Sequence, residues 1–255
     1  GGTSYSDISS NLEISQQYRL SIAQLNGNKI LTGWQDNGTN LKNGTTHTNV
    51  LGGDGMECII ARTDANVMYG EIYYGAIYKS TNGVSFSALV NSGGTGVNED
   101  GAWVTPYALG ATDNDLYVGK TKIYKSTNAG ASFTAMGAFG TGVINAFAVS
   151  SSNANVIYAS KGAALYKTTN ANTFTALSGL PNLYITSIAI DPTNENHVYV
   201  SVSGYTAGSK VYESTNGGST WSNISGSLPN IPANALAYHS NGTDAIYVGT
   251  DAGVY

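Results

Sequence analysis

The sequence predicts an all-β propeller of about six four-stranded antiparallel blades, and three observations predict it. A short phrase recurs four times: Tyr78-Lys79-Ser80-Thr81-Asn82, Tyr124-Lys125-Ser126-Thr127-Asn128, Tyr166-Lys167-Thr168-Thr169-Asn170 and Tyr212-Glu213-Ser214-Thr215-Asn216. Its tyrosines are separated by 46, 42 and 46 residues. Strand-like text fills the intervals, and helical periodicity is absent. A fixed period in the forties, divided into short strands, is the signature of propeller blades.

Each period reads alike. An apolar or alternating run such as Ile185-Thr186-Ser187-Ile188-Ala189-Ile190 is followed by a turn, Asp191-Pro192-Thr193-Asn194-Glu195-Asn196. A second run follows, His197-Val198-Tyr199-Val200-Ser201-Val202. A third carries the repeat phrase, and a fourth begins at an aromatic: Phe86, Phe133, Phe174 or Trp221. Four short strands separated by Gly, Asn and Pro turns make one blade. The second runs end in a small residue (Gly70, Gly119, Ala159, Ser201 and Gly249), which predicts strands converging on a crowded axis.

A degenerate first unit spans Ser10 to Gly52, with strand text at Tyr18–Ala23 and Lys29–Trp34. Later blades are predicted to start near Asp54, Val104, Val143, Ile185 and Ala233. Gly1-Gly2-Thr3-Ser4-Tyr5 matches the second half of the phrase, as in Gly217-Gly218-Ser219-Thr220-Trp221. Residues 1–9 are therefore expected to supply the fourth strand of the blade begun by residues 233–255, closing one domain of 255 residues from both termini. The alternative is a segment cut from a longer array in a larger surface protein.

Composition narrows function. Charged residues make up only 11% of the chain, with 11 Lys+Arg, 16 Asp+Glu and a net charge of −5. Nucleic-acid binding needs clustered cations and is not expected. No apolar run reaches the length of a membrane-spanning helix. The lone Cys58 sits in apolar text and reads as a small buried hydrophobe. Richness in Gly, Ser, Thr and Asn fits a secreted bacterial β-protein.

The complete phrases, Ser126-Thr127-Asn128-Ala129-Gly130-Ala131-Ser132-Phe133 and Ser214-Thr215-Asn216-Gly217-Gly218-Ser219-Thr220-Trp221, resemble the Asp-box or BNR repeat, Ser-x-Asp-x-Gly-x-Thr-Trp. That pattern occurs in sialidases, sortilin-like receptors and xyloglucanase-type glycoside hydrolases. All four copies carry Asn in place of Asp, and those at Ser80 and Thr168 are one residue short. The resemblance implies a structural turn between third and fourth strands, its aromatic packed between blades. Asn keeps the acceptor that such a turn needs. Gly33-Trp34-Gln35-Asp36-Asn37-Gly38-Thr39, Gly52-Gly53-Asp54-Gly55-Met56-Glu57 and Asn98-Glu99-Asp100-Gly101-Ala102-Trp103 resemble secreted bacterial sortilin-like propellers. This second resemblance implies an extracellular or surface location.

Polar and aromatic residues interrupt the repeat in its first half. Trp34, Gln35 and Asp36 close a second strand, and Asp54 and Glu57 open the next blade. Glu71, Tyr73 and Tyr74 break an apolar second strand, and Glu99, Asp100 and Trp103 precede another first strand. Adjacent blades would bring these together at one rim. Aromatic faces with carboxylates and amides suit sugars. Two carboxyls at suitable separation hydrolyse glycosidic bonds, with Asp54 and Glu71 as candidates. The same oxygens suit Ca²⁺, although no cofactor or metal is expected. The plainer reading makes Asp54 and Asp100 turn residues and the tyrosines core.

Enzyme families fit poorly. A sialidase needs three arginines, and the chain has only Arg19 and Arg62. The resemblance to xyloglucanase-type enzymes implies an aspartate where Tyr73 stands; Arg62-Thr63-Asp64 has similar letters but lies in the preceding turn. His47, His197 and His239 show no ligand spacing. The expected function is an extracellular recognition module that binds a glycan or a protein at one rim of the channel. Glycoside hydrolysis of a β-linked polysaccharide and a structural spacer role are the alternatives.

Overall fold

The computed structural model describes residues 15–90, 95–111, 114–240 and 244–255. Among these residues there is no helix, and the strands form six antiparallel sheets in chain order. Blade 1 contains β1 (Gln17–Ile22), β2 (Lys29–Trp34), β3 (Gly38–Asn43) and β4 (Thr46–Leu51). Blade 2 contains β5 (Cys58–Ile60), β6 (Met68–Glu71), β7 (Ile77–Ser80) and β8 (Ser87–Val90). Blade 3 follows with β9 (Tyr107–Leu109), β10 (Leu116–Gly119), β11 (Ile123–Ser126) and β12 (Thr134–Ala135). Blade 4 is β13 (Ala146–Val149), β14 (Ile157–Lys161), β15 (Ala164–Thr168) and β16 (Thr175–Ala176). Blade 5 is β17 (Ile185–Asp191), β18 (Asn194–Val202), β19 (Val211–Ser214) and β20 (Ser222–Asn223). Blade 6 shows β21 (Ala233–His239), β22 (Ala245–Thr250) and β23 (Gly253–Val254). The fold is a six-bladed β-propeller. The fourth strand of blade 6, expected from residues 1–9, lies outside the described residues.

Each sheet runs outward from its first strand, and first strands of neighbouring blades lie side by side: β9 with β13, β13 with β17 and β17 with β21. The first strands therefore ring the axis, not the second strands as their small terminal residues suggested. Those small residues serve the seams instead. A Cβ on Gly119 would come within 3.1 Å of Phe147 and 3.2 Å of Ile144 in the next blade.

Strands apolar on both faces explain the ring, because each sheet must be covered twice. One apolar cluster fills each seam. Leu31 and Leu41 of blade 1 meet Cys58, Ile60 and Met68 of blade 2. Ile77 and Val90 meet Leu116 and Val118 across the next seam. Similar clusters join blades 3 to 4, 4 to 5 and 5 to 6. The aromatic that opens each fourth strand packs on the seam to the preceding blade: Phe86, Phe133, Phe174 and Trp221 in turn. Between blade 6 and β1 there is instead a cavity of about 540 Å³, bordered by Leu20, Ala235, Ala237, Tyr247 and Val254.

The repeat phrase is a turn wound around one hydroxyl. Ser214 Oγ accepts the Gly218 N–H at 2.8 Å and donates to Asn216 Oδ1 at 2.9 Å. Asn216 Oδ1 also accepts the Thr220 N–H at 2.9 Å. Ser126 and Asn128 make the same set with Gly130 and Ser132. The shorter Ser80 copy keeps the set with Gly83 and Ser85, and the Thr168 copy keeps the Thr168–Asn170 bond and the Thr173 N–H on Asn170, while its Ala171 N–H goes to the Asn155 carbonyl. These asparagines are engaged in turn geometry. Ser214→Ala removes the acceptor of a buried N–H and should cost about 1–3 kcal/mol of unfolding free energy. Urea unfolding with an unchanged m-value checks it; no loss would mean that the hydroxyl is not what holds the turn.

Candidate rim site

Two loops on one face of the ring build an exposed aromatic platform. Tyr73 and Tyr74 lie in the turn between β6 and β7, and Trp103 lies in the connection from blade 2 to blade 3. The rings of Tyr73 and Trp103 are parallel, 5.7 Å apart and 5° from coplanar. Tyr74 stands edge-on to both, at 6.0 Å from Tyr73 and 5.1 Å from Trp103. All three remain open to solvent, at 44%, 46% and 41% exposure. Solvated aromatic clusters are costly and mark interaction surfaces.

The main chain fixes these loops. Tyr74 N–H donates to the Trp103 carbonyl at 3.3 Å, and Gly101 N–H donates to the Tyr74 carbonyl at 3.0 Å. Tyr74 has a left-handed φ of 53°, and Gly75 follows at 79°. A side chain at Gly75 would strike Lys120, whose Nζ lies 2.1 Å from the position of a Cβ. Lys120 is fully buried and donates to the carbonyls of Tyr74 at 2.8 Å and Gly75 at 3.1 Å.

Glu71 lies beneath the platform with no exposed surface. Its Oε1 accepts the N–H of Gly75 at 2.8 Å and of Thr105 at 2.9 Å, and its Oε2 accepts the Glu57 N–H at 3.3 Å. One carboxyl thus gathers three loop segments. Burial pushes its pKa up to about 8, while the N–H donors from Thr105 and Gly75 oppose the rise.

The platform reaches toward blade 1 through hydrogen bonds. Trp103 Nε1–H donates to Tyr18 Oη at 3.2 Å, and Tyr18 O–H donates to Gln35 Oε1 at 2.9 Å. Beside Gln35, the Asp36 N–H donates to Asp54 Oδ1 at 2.6 Å, and Asp36 has a left-handed φ of 58°. Gln35, Asp36 and Asn37 border a shallow recess of about 380 Å³. The structure therefore brings together Tyr73, Tyr74, Trp103 and Gln35, with Asp36 and Asp54 alongside.

The other predicted residues do not join the ring cluster. Trp34 ends β2 on the blade 1 face turned away from blade 2, where it lines a groove of about 660 Å³ with Thr32, Asn40 and Asn49. Glu57 pairs with Arg19 at 3.2 Å, and burial raises its pKa. Glu99 accepts the N–H and the hydroxyl of Thr121, tying the β10–β11 turn. Asp100 is exposed near Lys120. Tyr18 was missed, because in sequence it reads as an ordinary residue of a degenerate strand. Cys58 is buried, with its thiol pushed up by burial and donating to the Leu31 carbonyl. Among the described residues no group of three His, Cys, Asp or Glu side chains is arranged to hold a metal, and no helix is long and apolar enough to cross a membrane.

No family model and no curated protein matches the chain. Solved structures do. An ancestral GH74 enzyme superposes with a TM-score of 0.68 at 15% identity, over 93% of this chain and 37% of its own. YCF48 bound to a D1 peptide gives 0.67 at 12% identity, over 94% and 76%. The extracellular domain of a protein described as a one-component system from B. thetaiotaomicron gives 0.66 at 13% identity, over 93% and 32%. The likeness is one of fold. The chain spans well under half the length of that GH74 enzyme.

The raised pKa of Glu71 has a definite linkage sign. The folded state holds its proton more tightly than the unfolded chain, so this stabilisation is full below about pH 4.5 and is lost as pH rises toward about 8. Glu71→Gln stays neutral throughout. The stability of the wild type minus that of Glu71→Gln should therefore fall across this window, as read by thermal melts at stepped pH. A difference that stays constant would show Glu71 ionised throughout.

Proposed function

We propose that this propeller is a non-catalytic extracellular recognition module that binds a glycan on the platform of Tyr73, Tyr74 and Trp103. The observation that carries this reading is a rigid, solvated three-ring surface bordered by acceptor and amide groups. Sugar C–H faces stack on flat rings, and Gln35, Asp36, Asn37 and Asp54 offer hydrogen bonds beside them. The exposure of all three rings favours a chain lying on a surface over a small molecule held inside a pocket.

Hydrolysis is the weaker reading. A glycosidase acid or base must reach the scissile oxygen or a water, in addition to having a suitable pKa. Glu71 has the raised pKa but is wholly buried, with its oxygens held by backbone N–H groups. Asp54 stands beside the exposed Asp36, but its Oδ1 accepts the Asp36 N–H at 2.6 Å, the role of a turn residue. The serine–asparagine turns support reading the repeat phrases as Asp-boxes. The extracellular domain among the structural neighbours agrees with a location outside the cell, as does the Gly, Ser, Thr and Asn content.

A panel of soluble neutral polysaccharides, read for binding and for reducing-end release, tests the proposal. Binding without release is expected, and Trp103→Ala should weaken it about tenfold or more, the range of a central aromatic anchor. Release of reducing ends, or unchanged binding by a well-folded Trp103→Ala, would overturn it.

A further inference from the structure

Blade 5 carries two more solvated aromatics on the same face of the ring. Tyr205 lies in the turn between β18 and β19, the place that Tyr73 and Tyr74 occupy in blade 2, and is 71% exposed. Tyr184 lies in the connection that enters β17 and is 53% exposed. In a six-bladed ring, blades 2 and 5 stand on opposite sides of the channel mouth. We propose that Tyr184 and Tyr205 are a second anchoring station, and that the partner is a linear glycan chain laid across the mouth, not a chain end or a compact ligand. This rests on the platform reading above and adds to it the form of the partner.

Each station rests on a buried lysine. Lys120 reaches the Tyr73–Tyr74 turn from the following blade, and Lys210, also fully buried, closes the Tyr205 turn from within it. Lys210 Nζ donates to the Gly204 carbonyl at 2.6 Å and to Asn230 Oδ1 at 3.3 Å. A main-chain bond of 2.8 Å from Ser203 N–H to the Tyr184 carbonyl ties the two segments of the blade 5 station together. Tyr205 is thus presented on an anchored turn. A pinned ring loses less entropy on binding than one on a free loop. Lys161 reaches the blade 3 turn from the following blade as Lys120 reaches that of blade 2, through the Thr121 carbonyl, but that turn carries no aromatic. Among the described residues, the exposed aromatics of these turns and strand entries therefore cluster at blades 2 and 5.

A polymer that engages both stations gains avidity that a short fragment cannot. An extended peptide is the competing partner, but its apolar side chains would need concave pockets, and the blade 2 station offers exposed rings instead, Tyr73 parallel to Trp103 with Tyr74 edge-on to both.

The test uses mixed-linkage β-glucan and galactomannan, each as polymer and as trisaccharide, with wild type, Trp103→Ala and a Tyr184→Ala/Tyr205→Ala double variant. Thermal melts confirm that each variant is folded. Wild type should prefer polymer over trisaccharide by about tenfold or more. The double variant should lose that preference while keeping its trisaccharide affinity, and Trp103→Ala should weaken both. A double variant that keeps the polymer preference overturns the second station and leaves the platform standing. Unchanged binding by Trp103→Ala overturns the platform itself. Wild-type protein that binds none of the four glycans, whether or not it binds an extended-peptide array, overturns both.

Discussion

Sheets that are apolar on both faces set the terms for this molecule. Leu31 and Leu41 on blade 1, Ile77 and Val90 on blade 2 and their counterparts can leave water only against another blade. Face-to-face stacking with the usual strand twist bends such a series into a ring. Once the seams are apolar, polar groups that enter them must arrive with partners. The buried lysines meet this condition. Lys120, Lys161 and Lys210 spend their ammonium groups on loop carbonyls, with Lys120 and Lys161 reaching into the preceding blade. Glu71 does the converse, accepting N–H groups from three segments. Seam polarity is thereby turned into loop positioning.

The outer parts of the blades follow a second rule. Tyr69, Tyr117 and Tyr158 on second strands pair in register with Lys79, Lys125 and Lys167 on third strands. Each ammonium lies 5.1–5.7 Å from its ring centre. Lys79 also donates to Ala129 and Lys167 to Gly217, both in the repeat turn of the next blade. The conserved letters of the repeat phrase thus describe one mechanical unit. A cross-strand cation–π pair holds the sheet, and a hydroxyl-centred turn offers its carbonyl to the neighbouring blade. In blade 5 Glu213 stands opposite Tyr199 in the lysine's place, and His197 Nε2 lies 2.8 Å from its Oε1, so a carboxyl–imidazole contact replaces the cation–π pair there.

The fold was legible because this unit repeats in sequence. Strand breaks fell where Asn, Gly and Pro demanded turns, and β2 begins and ends at the residues read from the sequence, Lys29 and Trp34. The site was legible only as loops. The sequence pointed to the blade 2 turn and the entry to blade 3, yet Glu71 and Tyr73, two residues apart, have opposite fates. No local pattern separates them. Glu71 is drawn inward by Thr105 of the next blade, and Tyr73 is kept outward by its stack on Trp103. Both partners are about thirty residues away, where a single chain of letters carries no register. Trp34 was misplaced for a related reason. Its strand was correctly bounded, but which face looks toward blade 2 depends on the packing of Leu31 against Cys58 and its neighbours.

Buried restraint and exposed aromatic surface lie on opposite sides of one layer of loop. A left-handed non-glycine residue such as Tyr74 costs free energy, and it persists only where its surroundings over-determine it. Those surroundings are present: main-chain bonds to Trp103 and Gly101, Lys120 on its carbonyl, and Glu71 on the following N–H. All of these restraints lie below the loop or along it, and none covers the outward ring faces. The strained backbone therefore secures side-chain direction at no cost in accessible aromatic surface. Removing either Glu71 or Lys120 would leave the rings in place chemically but free to reorient, so that on the proposed glycan-binding reading affinity would fall through entropy, with every aromatic contact group still present.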